Sequence, residues 1–472
     1  MSGLFASLNS SVSALAAQSR AVEISGKNLA NVNNPNYARQ RVMIGNLGTI
    51  QTTQGPESMG VTALGIEQLR DSMLDQQVMR EAALTASYTS QQQAYQRAQA
   101  GLGQSINSTQ NASGASSTSD NGIAAALDDF FNGFQSLAAN PTDAGQRQTL
   151  LQNTSILTDR LRLADQRLAQ VSTDLDTQVG TDVSSVNRLL QTVADLNGQI
   201  ARFEVNNPGS AVDLRDQRQA DLEQLAAKLP FEVRTSATGR MQLVSQDATG
   251  ADVLLVDHTT VQGPVAFDGT QIAGGASATP LAPSAGSIQG SLAARDGALK
   301  TLRDNLDQLT AQLVTSVNAA YNPTGTTGNF FNPAGTTAAT IALAAGINTN
   351  TLKDSDGGPA GANTVALAIA QLASHKFSTG GVPPDVIDGT LGGFFSTPVS
   401  NLGQARAGTS ARVDDQSKIE QLVRSQRDGV SGVSLDEEMA ELLKYQRAFQ
   451  ASSRVFTTID NLLDTVVNQL GR

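Results

Sequence analysis

The sequence predicts a mainly α-helical protein with a β-rich insertion, elongated and built from discontinuous domains, whose N- and C-terminal helices pair in a coiled-coil-like bundle. Apolar residues recur in steps of three and four near both chain ends and through much of the middle. One central segment instead alternates β-type residues. Aromatic residues are 4% and charged residues 16% of the 472, a composition that suits long helices with narrow apolar stripes.

The first helical stripe lies at the N-terminus. Its seam, typical of a coiled coil, consists of Phe5, Leu8, Val12, Leu15 and Val22. An Asn-rich stretch, SGKNLANVNNPNY, follows from residue 25 to residue 37, and its proline cannot continue a helix. We therefore expect the helix to end there in a turn.

The middle of the chain alternates helical stripes with turn residues. Before the β-rich segment the pattern predicts, in order, extended residues near 41–44 and 61–66, a helix over 69–102, a flexible loop over 103–122, a helix over 123–137 and a long helix over 157–203. One apolar row of the long helix slips by one residue near Gly180 and Asp182, which predicts a break or bend there.

After a further helix the periodicity changes at Pro230. From there the chain predicts, in order, a β-rich insertion over 230–288, a helix from about residue 299, a loosely ordered surface excursion over 322–363, and helices from about residues 365 and 390. The whole segment 322–395 is expected to be irregular.

The last helix has a clear start and two adjacent apolar rows. Ser434 is a good N-cap residue, and Glu437 three residues later predicts a capping box. One row repeats every seven residues: Leu442, Phe449, Phe456, Leu463 and Leu470. A helix with two apolar rows needs neighbours on more than one side, so this row and the N-terminal seam together form the predicted assembly interface.

The order of these segments predicts three nested domains. Residues 1–35 and 435–472 form a terminal coiled-coil domain. Residues 36–229 and 289–434 form a helical shaft, and residues 230–288 form an outer β-rich domain. A terminal helix alone cannot bury its apolar face, and helices draw most of their stability from such burial. We therefore expect the terminal domain to be disordered in the monomer and to order on assembly.

Composition argues against several classes of function. The chain has 32 Lys and Arg against 43 Asp and Glu, a net charge of −11, which disfavours nucleic acid and anionic membrane surfaces as partners. It has no cysteine. Its N-terminus lacks the pattern of a cleaved signal peptide, and no run suggests membrane insertion. His258 and His375 lack metal-site spacing, and no nucleotide or nucleophile motif occurs. We expect no enzyme activity, catalytic residue, cofactor or metal.

Two terminal motifs carry a family resemblance. SGKNLANVNNPNYARQRV (Ser25–Val42) and GVSLDEEMAELLKYQRAFQASSRVFTTIDNLLDTVVN (Gly432–Asn468) resemble the signatures of flagellar rod, hook and hook-associated axial proteins. The matching positions are Asn28, Asn31, Asn33, Pro35, Tyr37, Glu437, Glu438, Met439, Tyr445 and Gln446. Stretches at 141–161, 213–226 and 286–322 are similar to the hook-associated members.

The resemblance implies a structural subunit at the junction between flagellar hook and filament, extracellular and exported unfolded by the type III route without a cleaved signal peptide. The partners it implies are copies of the chain in a ring, hook subunits, an adjoining hook-associated protein or the filament side, and an export chaperone at the C-terminal helix. Three alternatives stay open: another axial subunit such as hook protein or flagellin, a secreted adhesin that binds through its β insertion, and an enzyme.

Overall fold

A computed structural model describes residues 2–52, 55–102, 122–236, 240–325, 328–357, 359 and 361–465. Its helices are α1 (Ser2–Ala30), α2 (Ser72–Leu102), α3 (Ile123–Ala139), α4 (Ala144–Phe203), α5 (Val212–Ala226), α6 (Gly286–Ala294), α7 (Lys300–Tyr321), α8 (Thr364–Gln371), α9 (Leu391–Ser431) and α10 (Leu435–Asp464). A π-helical turn, Arg295–Leu299, joins α6 to α7. The predicted helical class is confirmed.

The strands cluster in two parts of the sequence. They are β1 (Gln40–Asn46), β2 (Thr49–Thr52), β3 (Gly55–Ser58), β4 (Val61–Gln68), β5 (Glu232–Thr235), β6 (Met241–Gln246), β7 (Asp252–Asp257), β8 (Thr260–Val261), β9 (Ala266–Phe267), β10 (Ile272–Gly274) and β11 (Thr279–Pro280). The last seven form a four-stranded sheet in the order β5-β6-β7-β8 and a three-stranded sheet in the order β11-β10-β9. They constitute the predicted β-rich insertion.

The chain divides into two compact units. The first comprises Met1–Thr85, Val183–Gly286 and Gln416–Arg472, and the second Ala86–Asp182 and Ser287–Asp415. These units cut across the three predicted domains, because the terminal helices and the β-rich insertion belong to the same unit. Sequence order alone does not reveal that grouping.

In the first unit, α1 and α10 pack against each other, as predicted, and α1 also contacts the ribbon formed by β1 and β4. The ribbon is antiparallel and pairs Val42 with Ile66. Its inner face packs on α1 and reaches α10 in a small apolar cluster: Ala21, Ile24, Val42, Ala63, Ile66 and Tyr445. This cluster fixes the ribbon beside the paired terminal helices.

In the second unit, aromatic rings of α3 stack with rings from the segment after α7. Phe130 and Phe134 lie 5.2 Å apart, and Phe330 lies 5.3 Å from Phe134 and 4.9 Å from Phe331. All four side chains are fully buried. The prediction that residues 322–363 form a surface excursion is therefore wrong for these aromatic residues, whereas the predicted irregularity agrees with the structure, since the described residues of this segment form no helix or strand beyond isolated bridges. Although Gly, Thr and Asn dominate that segment, its few apolar residues lie in the core.

Of the break or bend predicted in the long helix, the break is wrong, since α4 continues over 60 residues. Asp182 is 3% exposed and accepts hydrogen bonds from Ser287 Oγ (2.5 Å) and Gln178 Nε2 (3.4 Å). A glycine inside a helix costs only about 1 kcal/mol, which the buried rows on both sides offset. The slip in the apolar row marks the point where α4 passes from one compact unit to the other. The predicted loop over 103–122 lies almost wholly outside the described residues.

Candidate assembly site at the paired chain ends

A buried asparagine connects the two ends of the chain. Asn28, near the end of α1, is 1% exposed. Its Nδ2 donates to the Gln40 carbonyl (2.8 Å) and to Glu438 Oε2 (3.0 Å). Its Oδ1 accepts from the Tyr37 hydroxyl (2.7 Å) and the Gln40 N–H (3.0 Å). All hydrogen-bonding groups of this amide are therefore used, as a buried amide requires.

Arg39 supplies the charge that balances the buried carboxylate. Glu438, in the first turn of α10, is 1% exposed and accepts from Arg39 Nε at 2.6 Å. The same guanidinium donates through Nη1 to Glu437 at 2.6 Å. We call Asn28, Tyr37, Arg39, Gln40 and Glu438 the signature cluster. It joins residues up to 410 positions apart in sequence.

Tyr37 takes part in this cluster as a hydrogen-bond donor. Burial, followed by the charges of Asp216, Asp213 and Glu438, raises the pKa of the Tyr37 hydroxyl well above its usual value. The hydroxyl therefore keeps its proton at any physiological pH and donates it to Asn28 Oδ1. The signature tyrosine thereby orients the amide that bonds to Glu438.

The start of α10 differs from the prediction in one respect. Ser434 is the N-cap residue, as expected, but its side chain makes no capping hydrogen bond. Glu437, the predicted partner in a capping box, pairs with Arg39 instead. A guanidinium is a stronger partner for a carboxylate than a main-chain N–H, so the capping box is absent from this helix start.

The Asn-rich segment forms the turn that ends α1. Asn31 Nδ2 donates to the Lys27 carbonyl (2.9 Å), and the Asn34 N–H donates to the Asn31 carbonyl (2.9 Å). Asn33 and Pro35 are exposed, and the Pro35 carbonyl accepts from an arginine at the end of α9 (3.2 Å). These bonds turn the chain so that Tyr37 reaches Asn28 on α1 and Arg39 reaches Glu438 on α10.

A second ionic layer surrounds the cluster. Arg70 lies between Asp75 (2.9 Å) and Asp216 (2.7 Å), and Arg427 pairs with Glu223 at 2.6 Å. Burial raises the pKa values of Asp75 and Asp216, although their pairing with Arg70 opposes that rise. The paired arginine thus keeps two desolvated carboxyl groups in place.

The structure locates the predicted assembly residues as follows. On α1, Leu8, Leu15 and Val22 are half-buried and Val12 is 47% exposed. On α10, Leu442 and Phe456 are half-buried, Phe449 is 40% exposed and Leu463 is buried. The side chain of Phe5 and the whole of Leu470 lie outside the described residues. Among the signature positions, Met439 and Gln446 are exposed.

Two groups of exposed apolar residues border the buried face of α10. By helical spacing the first flank consists of Leu435, Met439 and Leu443, which are 47%, 50% and 53% exposed. The second flank, Val455 and Leu462, lies on the other side of the buried face, and both residues are 51% exposed. Contact with α1 therefore leaves apolar surface uncovered on both sides of α10.

Sequence reasoning found Asn28, Tyr37 and Glu438 but missed the basic residues that pair with the acidic ones. Arg39 follows the signature tyrosine by two positions, and Arg427 lies just before the last helix. The pairing could have been predicted from the opposite charges of the two terminal motifs, since one contains an arginine and the other contains adjacent glutamates.

Within the part of the chain that the structure describes, no group of three or more His, Asp or Glu residues could hold a metal ion. Nor does any helix in those ranges have the length and hydropathy needed to span a membrane. His258 Nδ1 is buried without a hydrogen-bond partner, and the His375 ring packs edge-on against Phe377 at 4.7 Å.

Three models of flagellar protein families match the chain. The model described as "Flagellar hook-associated protein FlgK helical domain" matches residues 108–331. "Flagellar basal body rod FlgEFG protein C-terminal" matches residues 425–470, and "Flagella basal body rod protein" matches residues 8–37. Of the signature cluster, Asn28 and Tyr37 lie in the N-terminal match and Glu438 lies in the C-terminal match, whereas Arg39 and Gln40 lie outside both.

Full-length relatives and a solved structure agree with these matches. The chain is 24% identical to "Flagellar hook-associated protein 1" of Bacillus subtilis, with 100% of this chain and 99% of that protein covered. It is 22% identical to the protein of the same name from Salmonella typhimurium, covering 98% and 99%. The structure of the flagellar hook junction protein FlgK from Burkholderia pseudomallei, 14% identical, has a TM-score of 0.60 and covers 75% of this chain and 100% of that one. That similarity shows a common fold.

Proposed function

We infer that this chain, a member of the flagellar axial proteins whose full-length relatives are named hook-associated protein 1, is a structural subunit of the bacterial flagellum that forms the junction between hook and filament. A subunit at such a junction must bind copies of itself and two unlike neighbours. Its terminal helices must therefore offer surfaces beyond their contact with each other.

The observation that carries this proposal is the uncovered apolar surface of α10. Its first flank and second flank lie on opposite sides of the face that meets α1. Burying a leucine- or valine-sized side chain contributes about 1.5–3 kcal/mol. Packing between neighbouring copies would bury both flanks. This agrees with the sequence prediction that the last helix needs neighbours on more than one side.

Removal of residues 435–472 tests the proposal. We expect the truncated chain to be soluble with a folded middle, but unable to assemble, because it lacks both flanks. The measurement is electron microscopy of a strain that carries the truncated gene in place of the full-length one. Hooks without filaments, with filament protein released into the medium, are the expected result.

A strain with Val382→Gln serves as a matched control, since Val382 is 100% exposed and lies far from α10 in sequence. It should assemble normal filaments. Normal filament attachment by the truncated chain would refute the proposed role of the terminal helices.

The partners follow from the same role. We propose that copies of the chain form a ring, that hook subunits contact one side of it, and that an adjoining hook-associated protein or the filament contacts the other. The exposed flanks of α10 also provide the apolar groups by which an export chaperone would hold an unassembled helix. Isolation of the chain from cells before export, followed by mass spectrometry of copurified proteins, tests the chaperone contact.

We propose that residues 1–35 and 435–472 open readily in the free chain and become stably ordered only on assembly. With apolar residues uncovered on both flanks of α10, the helix pair gains much of its stability from neighbours. Hydrogen exchange should be fast at both ends of the free chain and slow in isolated flagella. Slow exchange at the ends of the free chain would instead indicate a self-contained fold.

We further propose an extracellular location, reached unfolded through the flagellar type III channel without cleavage of a signal peptide, and a role without catalysis. The absence of cysteine is compatible with such a route. Mass spectrometry of the protein in sheared flagella would detect an intact N-terminus if the route is right and a shortened one if a signal peptide is cleaved.

A further inference from the structure

A cavity of about 540 Å³ lies within the first unit, among β4, α2, α5 and β6. The lining of the cavity includes Met43, Met79 and Met241, which we call the methionine wall. Three arginines also line the cavity. A cavity of this size can hold several side chains of a partner.

Two of the three arginines are already paired. Arg215 donates to both carboxylate oxygens of Glu204, at 2.8 and 2.6 Å. Arg70 lies between two aspartates of the second ionic layer. Arg218 has no carboxylate within ion-pair distance among the described residues; its Nη1 donates to the neutral Asn197 Oδ1 at 2.8 Å. Arg218 therefore has no direct ion pair, although the more distant charge of Glu204 favours its charged form.

The unpaired guanidinium is held in place by a buried asparagine. Asn197 is 2% exposed, and its Nδ2 donates to the His258 carbonyl at 2.8 Å. Burial, with a smaller contribution from Arg215, lowers the pKa of Arg218 to about 10. A bound anion would stabilise the charged form of Arg218. Because Asn197 already holds the guanidinium in place, this part of the cavity is preorganised to bind a carboxylate.

The start of α10 has the complementary chemistry. The apolar first flank lies beside Asp436, which is exposed and makes no hydrogen bond or ion pair within the described ranges. Methionine side chains adapt their shape to apolar partners, so the methionine wall suits such a flank. The chain carries a net charge of −11, so carboxylates that could be attracted to Arg218 are plentiful on its copies.

We propose that the cavity binds the start of α10 of a second copy of the chain, with the Asp436 carboxylate on Arg218 and the first flank against the methionine wall. This inference rests on the proposed function, because it requires copies to assemble. It adds a specific contact to that function, between one copy's cavity and the next copy's last helix.

The absence of cysteine from the chain allows a direct test. Met43→Cys and Met439→Cys are combined in the full-length chain; these methionines are 44% and 50% exposed and lie in the cavity wall and in the first flank. Flagella from a strain carrying this double variant are oxidised and analysed on a non-reducing gel. We expect disulfide-linked dimers and larger multimers, and their loss when Arg218→Met is added.

The matched control combines Met43→Cys with Leu462→Cys, which places the second thiol on the second flank; it should yield no multimers. Incorporation of each variant into flagella is measured first, so that failure of the proposed function is seen separately, as absence of the chain from flagella. Incorporation without multimers would overturn the inference. Multimers that persist at full yield with Arg218→Met would equally overturn it, since the carboxylate contact would then play no part.

Discussion

Glu438 is the residue on which the pairing of the chain ends depends most directly. It is buried, and its two oxygens are bound by Arg39 and Asn28. A buried ion pair contributes little to net stability, but removal of one partner leaves the other charge uncompensated. The arrangement therefore favours one alignment of the two terminal motifs over others, the best-attested use of buried polar groups in paired helices.

We expect Glu438→Ala to lower the free energy of unfolding of the first unit by about 3 kcal/mol, because it leaves Arg39 with only the exposed Glu437 and removes one of the two acceptors of the buried Asn28 amide. The measurement is urea unfolding followed by circular dichroism. Glu437→Ala is the matched control: it removes the neighbouring carboxylate, 63% exposed, from the same arginine. That change should cost less than about 1 kcal/mol, and equal losses in both variants would contradict a special role for Glu438.

Glu204 gives a prediction for pH. Hydrogen bonds from Arg215 hold the pKa of its carboxyl below its usual value, against an opposing effect of burial. Since the folded state then favours the ionised form, this contribution is fully present above about pH 4.5 and is lost as the pH falls further. The stability difference between the natural chain and Glu204→Gln should thus be constant near neutral pH and shrink in acid. A difference that grows on acidification would contradict it.

At the scale of elements, α4 shows how a helix tolerates a local weakness. Gly180 and the slipped row predict a break, yet the helix is continuous, because buried residues on both sides hold it. Apart from its two chain neighbours and the nearby backbone of α4, no atom of the described residues lies within 4 Å of the place that a Cβ on Gly180 would occupy. The glycine therefore has no packing role there.

We expect Gly180→Ala to raise the free energy of unfolding of the second unit by about 0.5–1 kcal/mol, since alanine loses less backbone freedom on folding than glycine. Gly290→Ala in α6 is the contrasting variant. A Cβ there would lie 2.1 Å from the Ser87 carbonyl oxygen, so that change should cost about 1–3 kcal/mol. Thermal unfolding measures both. A destabilising Gly180→Ala would mean that a break or bend at this point is needed after all.

The same elements show what one sequence reveals. Spacing of apolar residues located most of the helices, and alternation located the β-rich insertion, since both patterns are local. It missed α6, because the prediction placed the next helix only from about residue 299. The burial of Phe330 and Phe331 was missed because a composition rich in Gly, Thr and Asn hides a few core residues. Within the signature cluster, Asn28 and Glu438 were recognised as motif residues, but their contact was not, because pairing across 410 positions leaves no periodic trace.

For the whole molecule, the apolar surface that α1 leaves uncovered on α10 contributes to assembly but little to the stability of the free chain. A side chain that is half exposed in the free chain contributes little to its folding, but all of it becomes available for burial in a polymer. The signature cluster and the flanks thus have different roles: the cluster aligns the two ends within one chain, and the flanks serve contacts between chains.

This division yields the last prediction. Val455→Gln combined with Leu462→Gln should change the stability of the free chain by less than about 0.5 kcal/mol per site, because both side chains are already 51% exposed. It should strongly reduce attachment of filaments, counted by electron microscopy, since each site places a polar group in an interface between copies. Leu463→Gln, at a position only 9% exposed, is the control and should destabilise the free chain itself. Normal filaments with the double variant would show that the second flank faces solvent in the assembled structure.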